Sequence, residues 1–184
     1  MNVPNILSIV RLCLVPVFLL VYFSGATPGA FPYNLWAGLV YAAAAFTDIL
    51  DGMLARRLNM VTRLGRLLDP LADKLMGAAV IVCVAVSWPA LWWAAGVFFL
   101  KEALMGVGAL VQYKKIDDVP PSDVFGKLAV AVFFFCCLAI LLLQDAIPEA
   151  VMQVMMGVSM ALSLVALGRY LMRFVALTRK KSDQ

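Results

Sequence analysis

The sequence predicts an all-α integral membrane protein of six transmembrane helices around a polar cavity open to the cytoplasmic side. Three observations carry this. The 184 residues are 64% hydrophobic and only 14% charged, against about 25% charged in an ordinary soluble domain. The mean hydropathy is +0.95. Four aspartates, Asp48, Asp51, Asp69 and Asp73, are set in otherwise apolar sequence. A carboxylate at membrane depth costs about 2.5 to 3.5 kcal/mol on insertion scales, so four of them need partners.

The spans follow in order. Residues 11–24, 34–56, 67–87, 91–112, 124–143 and 150–171 are apolar runs, and most approach the roughly 20 residues a spanning helix needs. The first is short, so residues 1–10 are expected to form an interfacial segment that enters the bilayer near Arg11. The opening run has neither a basic leader nor a small-residue cleavage site, and reads as a retained span rather than a signal peptide. One domain over 1–184 is expected, ending in a basic cytoplasmic tail over 172–184.

Loop charges orient the spans. SGATPGAFPY and SWPALWW carry no charge, and QDAIPEA carries only Asp145 and Glu149. Arg56, Arg57, Arg63 and Arg66 gather between spans two and three. Lys114, Lys115 and Lys127 surround the next loop on that side, and Arg169 to Lys181 fill the C-terminal end. The positive-inside rule then places both termini and the aspartates on the cytoplasmic side. Trp36, Trp88, Trp92 and Trp93 fall near the opposite ends of their spans, as interface anchors do. The tail TRKKSDQ is expected to touch anionic lipid, and no nucleic-acid partner is expected.

The aspartates are spaced for shared chemistry. Asp48 and Asp51 are i,i+3, and Asp69 and Asp73 are i,i+4, so each pair shares a helix face. The pairs lie on consecutive spans joined by a short turn, and antiparallel packing would bring them to similar depth. Converging carboxylates repel unless neutralised. An all-oxygen donor set suits one or two Mg²⁺ or Mn²⁺ ions. Histidine is absent. Cys13, Cys83, Cys136 and Cys137 sit in apolar runs without ligand spacing, which disfavours zinc and histidine-based nucleophile activation. Gly52, Ala55 and Gly65 remove bulk near the acids, and Arg56 lies where it can meet a phosphate. Metal, cations and small residues together suggest a bound pyrophosphate or nucleotide and phosphoryl transfer. The alternatives are a structural ion network and the ion path of a small transporter.

From Asp48 onward the chain reads Asp48-x2-Asp51-Gly52-x2-Ala55-Arg56-x8-Gly65-x3-Asp69-x3-Asp73. This resembles the signature of the CDP-alcohol phosphatidyltransferases at all eight positions. The opening NVPNILSIVRLCLVPVF and the run TRLGRLLDPLADKL look like the bacterial phosphatidylglycerophosphate synthase branch. The resemblance implies six core helices, a site facing the cytoplasm of a bacterial membrane, and a homodimer. It implies transfer of a phosphatidyl group from CDP-diacylglycerol to an alcohol, here glycerol 3-phosphate, with release of CMP. Asp48, Asp51 and Asp69 would hold one ion, and Asp51, Asp69 and Asp73 would share a second. Gly52, Ala55, Arg56 and Gly65 would line the cytidine diphosphate pocket, and Asp73 would be the general base.

The acceptor pocket is read from Lys101 and Lys127 with Arg63 or Arg66, as cations for an acceptor phosphate. That branch usually has Arg-Glu where this chain has Lys101-Glu102, and a later arginine where this chain has Met105, Gly106 and Gly108. The plain reading of Lys101 and Glu102 is an ion pair. A cardiolipin synthase using phosphatidylglycerol, or transfer to an inositol phosphate, are the rival acceptor assignments.

Overall fold

In the computed structural model the backbone is described for residues 3–58, 65–115 and 124–182, and side chains for 8–49, 70–108 and 124–173. The described residues form six α-helices: α1 (Val3–Tyr22), α2 (Tyr33–Leu58), α3 (Gly65–Ser87), α4 (Trp92–Lys115), α5 (Val124–Leu143) and α6 (Glu149–Ser182). A single 3-10 turn, Pro89–Leu91, joins α3 to α4. Residues 3–10 are the first turns of α1, continuous with the rest of that helix. Helix α6 remains helical through the basic segment to Ser182.

Each helix exposes large apolar side chains, among them Leu20, Phe46, Leu75, Leu100, Phe135 and Val154. Exposed apolar surface on every helix of a bundle is unfavourable in water and favourable against acyl chains. Four helices are long and apolar enough to cross a membrane among the described residues: Pro70–Ser87, Pro89–Gly108, Val124–Leu143 and Glu149–Arg173. Six spans were expected, and four are found among the described residues. The described part of α1 is a shorter apolar helix, Ser8–Tyr22, with the charge of Arg11 inside it. Helix α2 carries Asp48, Asp51, Arg56 and Arg57 in its C-terminal half, so its apolar run ends near Phe46.

Packing places α1 against both α2 and α3. Helix α3 also meets α4 and α5, α2 meets α5, and α6 closes the bundle against α4 and α5. The core runs through Phe18, Tyr41, Val80, Ile81, Val84, Phe98, Phe133, Ile140 and Met156. Phe98 and Phe133 stack with centroids 5.2 Å apart, joining α4 to α5. Helices α2 and α5 approach closely at Gly38, where a Cβ would lie 2.6 Å from Leu142 Cδ2. Small residues at such crossings replace the hydrophobic drive that lipid removes.

One end of the bundle is tied by neutral hydrogen bonds. Tyr22 Oη lies 2.6 Å from Ser87 Oγ and 3.1 Å from the Cys83 carbonyl. Ser87 Oγ donates to the Pro28 carbonyl at 3.1 Å. Gln144 Nε2 donates to the Gly29 carbonyl at 2.7 Å, and Asn34 Nδ2 to the Leu141 carbonyl at 3.1 Å. Gly29 has φ +70°, and a Cβ there would meet Tyr22 Oη at 2.6 Å. Only glycine satisfies both the backbone and the space.

Candidate active site

The acidic site lies on α2 and α3, where they pack on α1. Asp48 of α2 and Asp73 of α3 are half-exposed, at 49% and 53%. Between them stands Arg11 of α1, which is 2% exposed. Arg11 Nη1 donates to Asp73 Oδ1 at 2.7 Å. Arg11 Nη2 lies 2.7 Å from Asp48 Oδ1 as an ion contact off the hydrogen-bond line, and Nε has no hydrogen-bond acceptor. One guanidinium therefore holds two acidic helices. A planar fork with donors on both arms can do this, whereas an ammonium offers a single point of charge. A buried arginine without carboxylate partners would be strongly unfavourable, so the three side chains are interdependent.

Asp51 lies one turn along α2 from Asp48, and Asp69 one turn before Asp73 on α3. The side chains of Asp51, Ala55, Arg56, Arg66 and Asp69 lie outside the described residues. So do the surroundings of Gly52 and Gly65, and the whole of Arg63. Among the described residues no group of three or more acidic or cysteine ligands gathers, since two of the four aspartates fall outside them. The donors that are described fit a hard divalent cation. They are carboxylate oxygens from two helices that both pack on α1, both reaching one guanidinium and both half-exposed.

A second ionic group adjoins the first. Lys74, next to Asp73 on α3, lies 3.1 Å from Glu102 Oε2 on α4. Lys101 Nζ lies 2.6 Å from Glu102 Oε1 and 5.2 Å from the Phe98 ring centroid. The Lys101–Glu102 ion pair is thus present, and Glu102 extends it to α3. Lys127 lies in the first turn of α5 and is exposed. At the same end of the chain's last helix, Arg169 sits over the Phe125 ring at 4.3 Å.

Sequence reasoning expected the two aspartate pairs to converge; among the described residues Asp48 and Asp73 meet at Arg11. That reasoning treated Arg11 as a marker of membrane entry and missed it as part of the site. The available signal was that Arg11 is the sole charged residue of α1, and a lone charge in an apolar helix demands a partner. Lys74 and the bridging place of Glu102 were also missed.

Over 95 residues, 50% of the chain, it is 43% identical to a CDP-diacylglycerol--glycerol-3-phosphate 3-phosphatidyltransferase of Pseudomonas fluorescens, covering 45% of that protein. Over 92 residues it is 41% identical to the Escherichia coli K12 protein of the same name, covering 48% of it. The chain thus spans about half the length of the curated relatives it matches. The family model for CDP-alcohol phosphatidyltransferase matches residues 1–167, the whole of the acidic site included. The chain belongs to the CDP-alcohol phosphatidyltransferase family.

Proposed function

We propose that the chain transfers a phosphatidyl group from CDP-diacylglycerol to the hydroxyl of glycerol 3-phosphate, giving phosphatidylglycerophosphate and CMP. The observation that carries this is the joining of Asp48 and Asp73 across two helices by Arg11, in a half-exposed site of an apolar bundle. The similarity to relatives named for this reaction supports the choice of substrates.

Asp48, Asp51, Asp69 and Asp73 would hold Mg²⁺ or Mn²⁺, two ions at full occupancy. Bound there, the cations would offset the charge of the diphosphate and of the departing CMP. The chain's own residues do the rest. Gly52, Ala55 and Gly65 leave room for the nucleotide, and Arg56 meets its phosphates. Asp73 accepts the acceptor's hydroxyl proton as the new oxygen–phosphorus bond forms and the bond to CMP breaks. Arg11 fixes the direction of the Asp73 carboxylate for that transfer. Holding the two substrates in line supplies part of the barrier reduction. The site faces the cytoplasm, so the nucleotide and the polar acceptor arrive from water while the acyl chains stay in lipid. The chain works as a homodimer in a bacterial cytoplasmic membrane.

Lys127, Lys101 and Arg63 or Arg66 are assigned to the acceptor phosphate. The pairing of Lys101 with Glu102 takes up part of that charge, which favours phosphatidylglycerol, giving cardiolipin, as the second reading. CMP release and lipid product would be measured with purified protein, CDP-diacylglycerol and Mg²⁺, offering glycerol 3-phosphate, phosphatidylglycerol or inositol 1-phosphate. Phosphatidylglycerophosphate as the dominant product is expected. Cardiolipin would move the assignment to a lipid acceptor. No substrate-dependent CMP release would overturn the reading and leave the transporter alternative.

A further inference from the structure

We propose that Arg11 is a positioning residue that sets the affinity of the acidic site for divalent cations. It would act as a permanent internal counter-cation placed behind Asp48 and Asp73. The inference rests on the functional reading above.

The geometry separates two sides of the site. Arg11 is 2% exposed, while Asp48 and Asp73 are about half exposed. The carboxylates are therefore accessible on one side and meet the guanidinium on the other. A cation entering from solvent meets acids whose buried flank already carries a positive charge. Arg11 cannot move away cheaply, because it is buried in the packing of α1 on α2 and α3. Its Nε and Nη2 are buried without a hydrogen-bond acceptor, while Nη1 donates to Asp73 and Nη2 stays in ion contact with Asp48. A purely structural bridge would be expected to satisfy all its donors.

Two effects oppose each other when Arg11 is removed. Loss of a fixed charge a few ångström away strengthens the pull on a divalent ion. Loss of the fork loosens the two carboxylates and weakens it. Even in a partly wet site of effective dielectric about 20, the charge term is the larger at this range. Affinity for the ion should therefore rise by about tenfold as turnover falls, because Asp73 is no longer held. A disrupted fold would lower both.

The test uses the full chain in nanodiscs of zwitterionic lipid. Free Mn²⁺ is followed by its electron paramagnetic resonance signal, and CMP release is measured in parallel. For Arg11→Gln, about tenfold tighter Mn²⁺ binding with at least tenfold slower turnover is expected. Arg11→Lys keeps the charge and loses the fork, so Mn²⁺ affinity should stay within about threefold of the parent while turnover drops. Unchanged or weaker Mn²⁺ binding by a helical Arg11→Gln chain would overturn the proposal. If Arg11→Gln does not fold, Arg11→Lys decides: tenfold tighter binding or unaltered turnover there would overturn it. A parent chain that binds no Mn²⁺ and releases no CMP would instead remove the functional reading, and this inference with it.

Discussion

The two ends of the bundle are fastened by different chemistry. At one end Tyr22, Ser87, Gln144 and Asn34 bond one another or backbone carbonyls. At the other, Arg11, Asp48 and Asp73 form one ionic group, and Lys74, Lys101 and Glu102 another. Neutral bonds to backbone groups fix geometry at little electrostatic cost and leave nothing reactive. Ionic groups are a poor means of stabilisation, because desolvation offsets much of their attraction. Finding them concentrated at one end, with the acids half-exposed, marks that end as the place where charge is used. The neutral end holds the helices in register for it.

This division can be challenged by substitution at either end. The largest effect should come from Asp48→Asn or Asp73→Asn. Each is expected to lower CDP-diacylglycerol-dependent CMP release at least about a hundredfold, and chelation of divalent cations should do the same reversibly. Activity surviving either treatment would detach the acids from the chemistry. Next, the double variant Asp48→Asn/Asp73→Asn strands Arg11 as a buried cation. It should lose roughly 3 kcal/mol of stability beyond either single change, read as the shift of a denaturation midpoint in detergent. Additive small losses would mean that Arg11 finds another partner.

At the neutral end the signature reverses. Gly29→Ala strains a left-handed residue and collides with Tyr22 Oη, so a loss of about 1 to 2 kcal/mol is expected. Tyr22→Phe should cost about 1 kcal/mol with turnover of the folded enzyme within about twofold of the parent. A turnover defect without a stability defect at either position would dissolve the distinction between the ends. The smallest effect concerns Glu102→Gln, which releases Lys74 and Lys101. If Lys101 serves the acceptor phosphate, KM for glycerol 3-phosphate should fall by about two- to threefold. An unchanged KM would leave Lys101 as a structural partner only.

Much of this was legible in the residues themselves. The span read as 124–143 is α5 without change, and that read as 34–56 is α2 to within two residues. Hydrophobic runs of this length bounded by charges leave few alternatives. That Asp48 and Asp51, and Asp69 and Asp73, share helix faces was legible from their spacing, but Asp48 and Asp73 are joined through α1 rather than by direct packing of their own helices. Arg11 was not legible in this way. It is 62 residues from Asp73 in sequence, and nothing local says that α1 lies against both acidic helices. A lone arginine near a terminus reads as a side chain reaching for the interface. Lys101 was ambiguous for a different reason. The same adjacency to Glu102 serves a phosphate site or an ion pair, and only the position of α3 supplies the third member, Lys74. Of the six spans expected, four are found at membrane length among the described residues.

The long sequence separation of Arg11 from its partners also bears on how the protein is made. Arg11 leaves the ribosome 62 residues before Asp73. At roughly 5 to 20 residues per second the growing chain spends on the order of 3 to 12 s with this guanidinium lacking that carboxylate. An unpaired arginine within a bilayer costs about 2.5 to 3.5 kcal/mol on insertion scales, and Arg11 lies within α1. We expect α1 to wait at the membrane surface and to seat fully only when α2 and α3 arrive. A nascent chain truncated before Asp48 should then leave α1 shallower than the complete chain does, as read by the accessibility of Cys13 in a cell-free membrane system. The charge that organises the finished site would thereby also dictate that a helix synthesised before its partners is not installed before them.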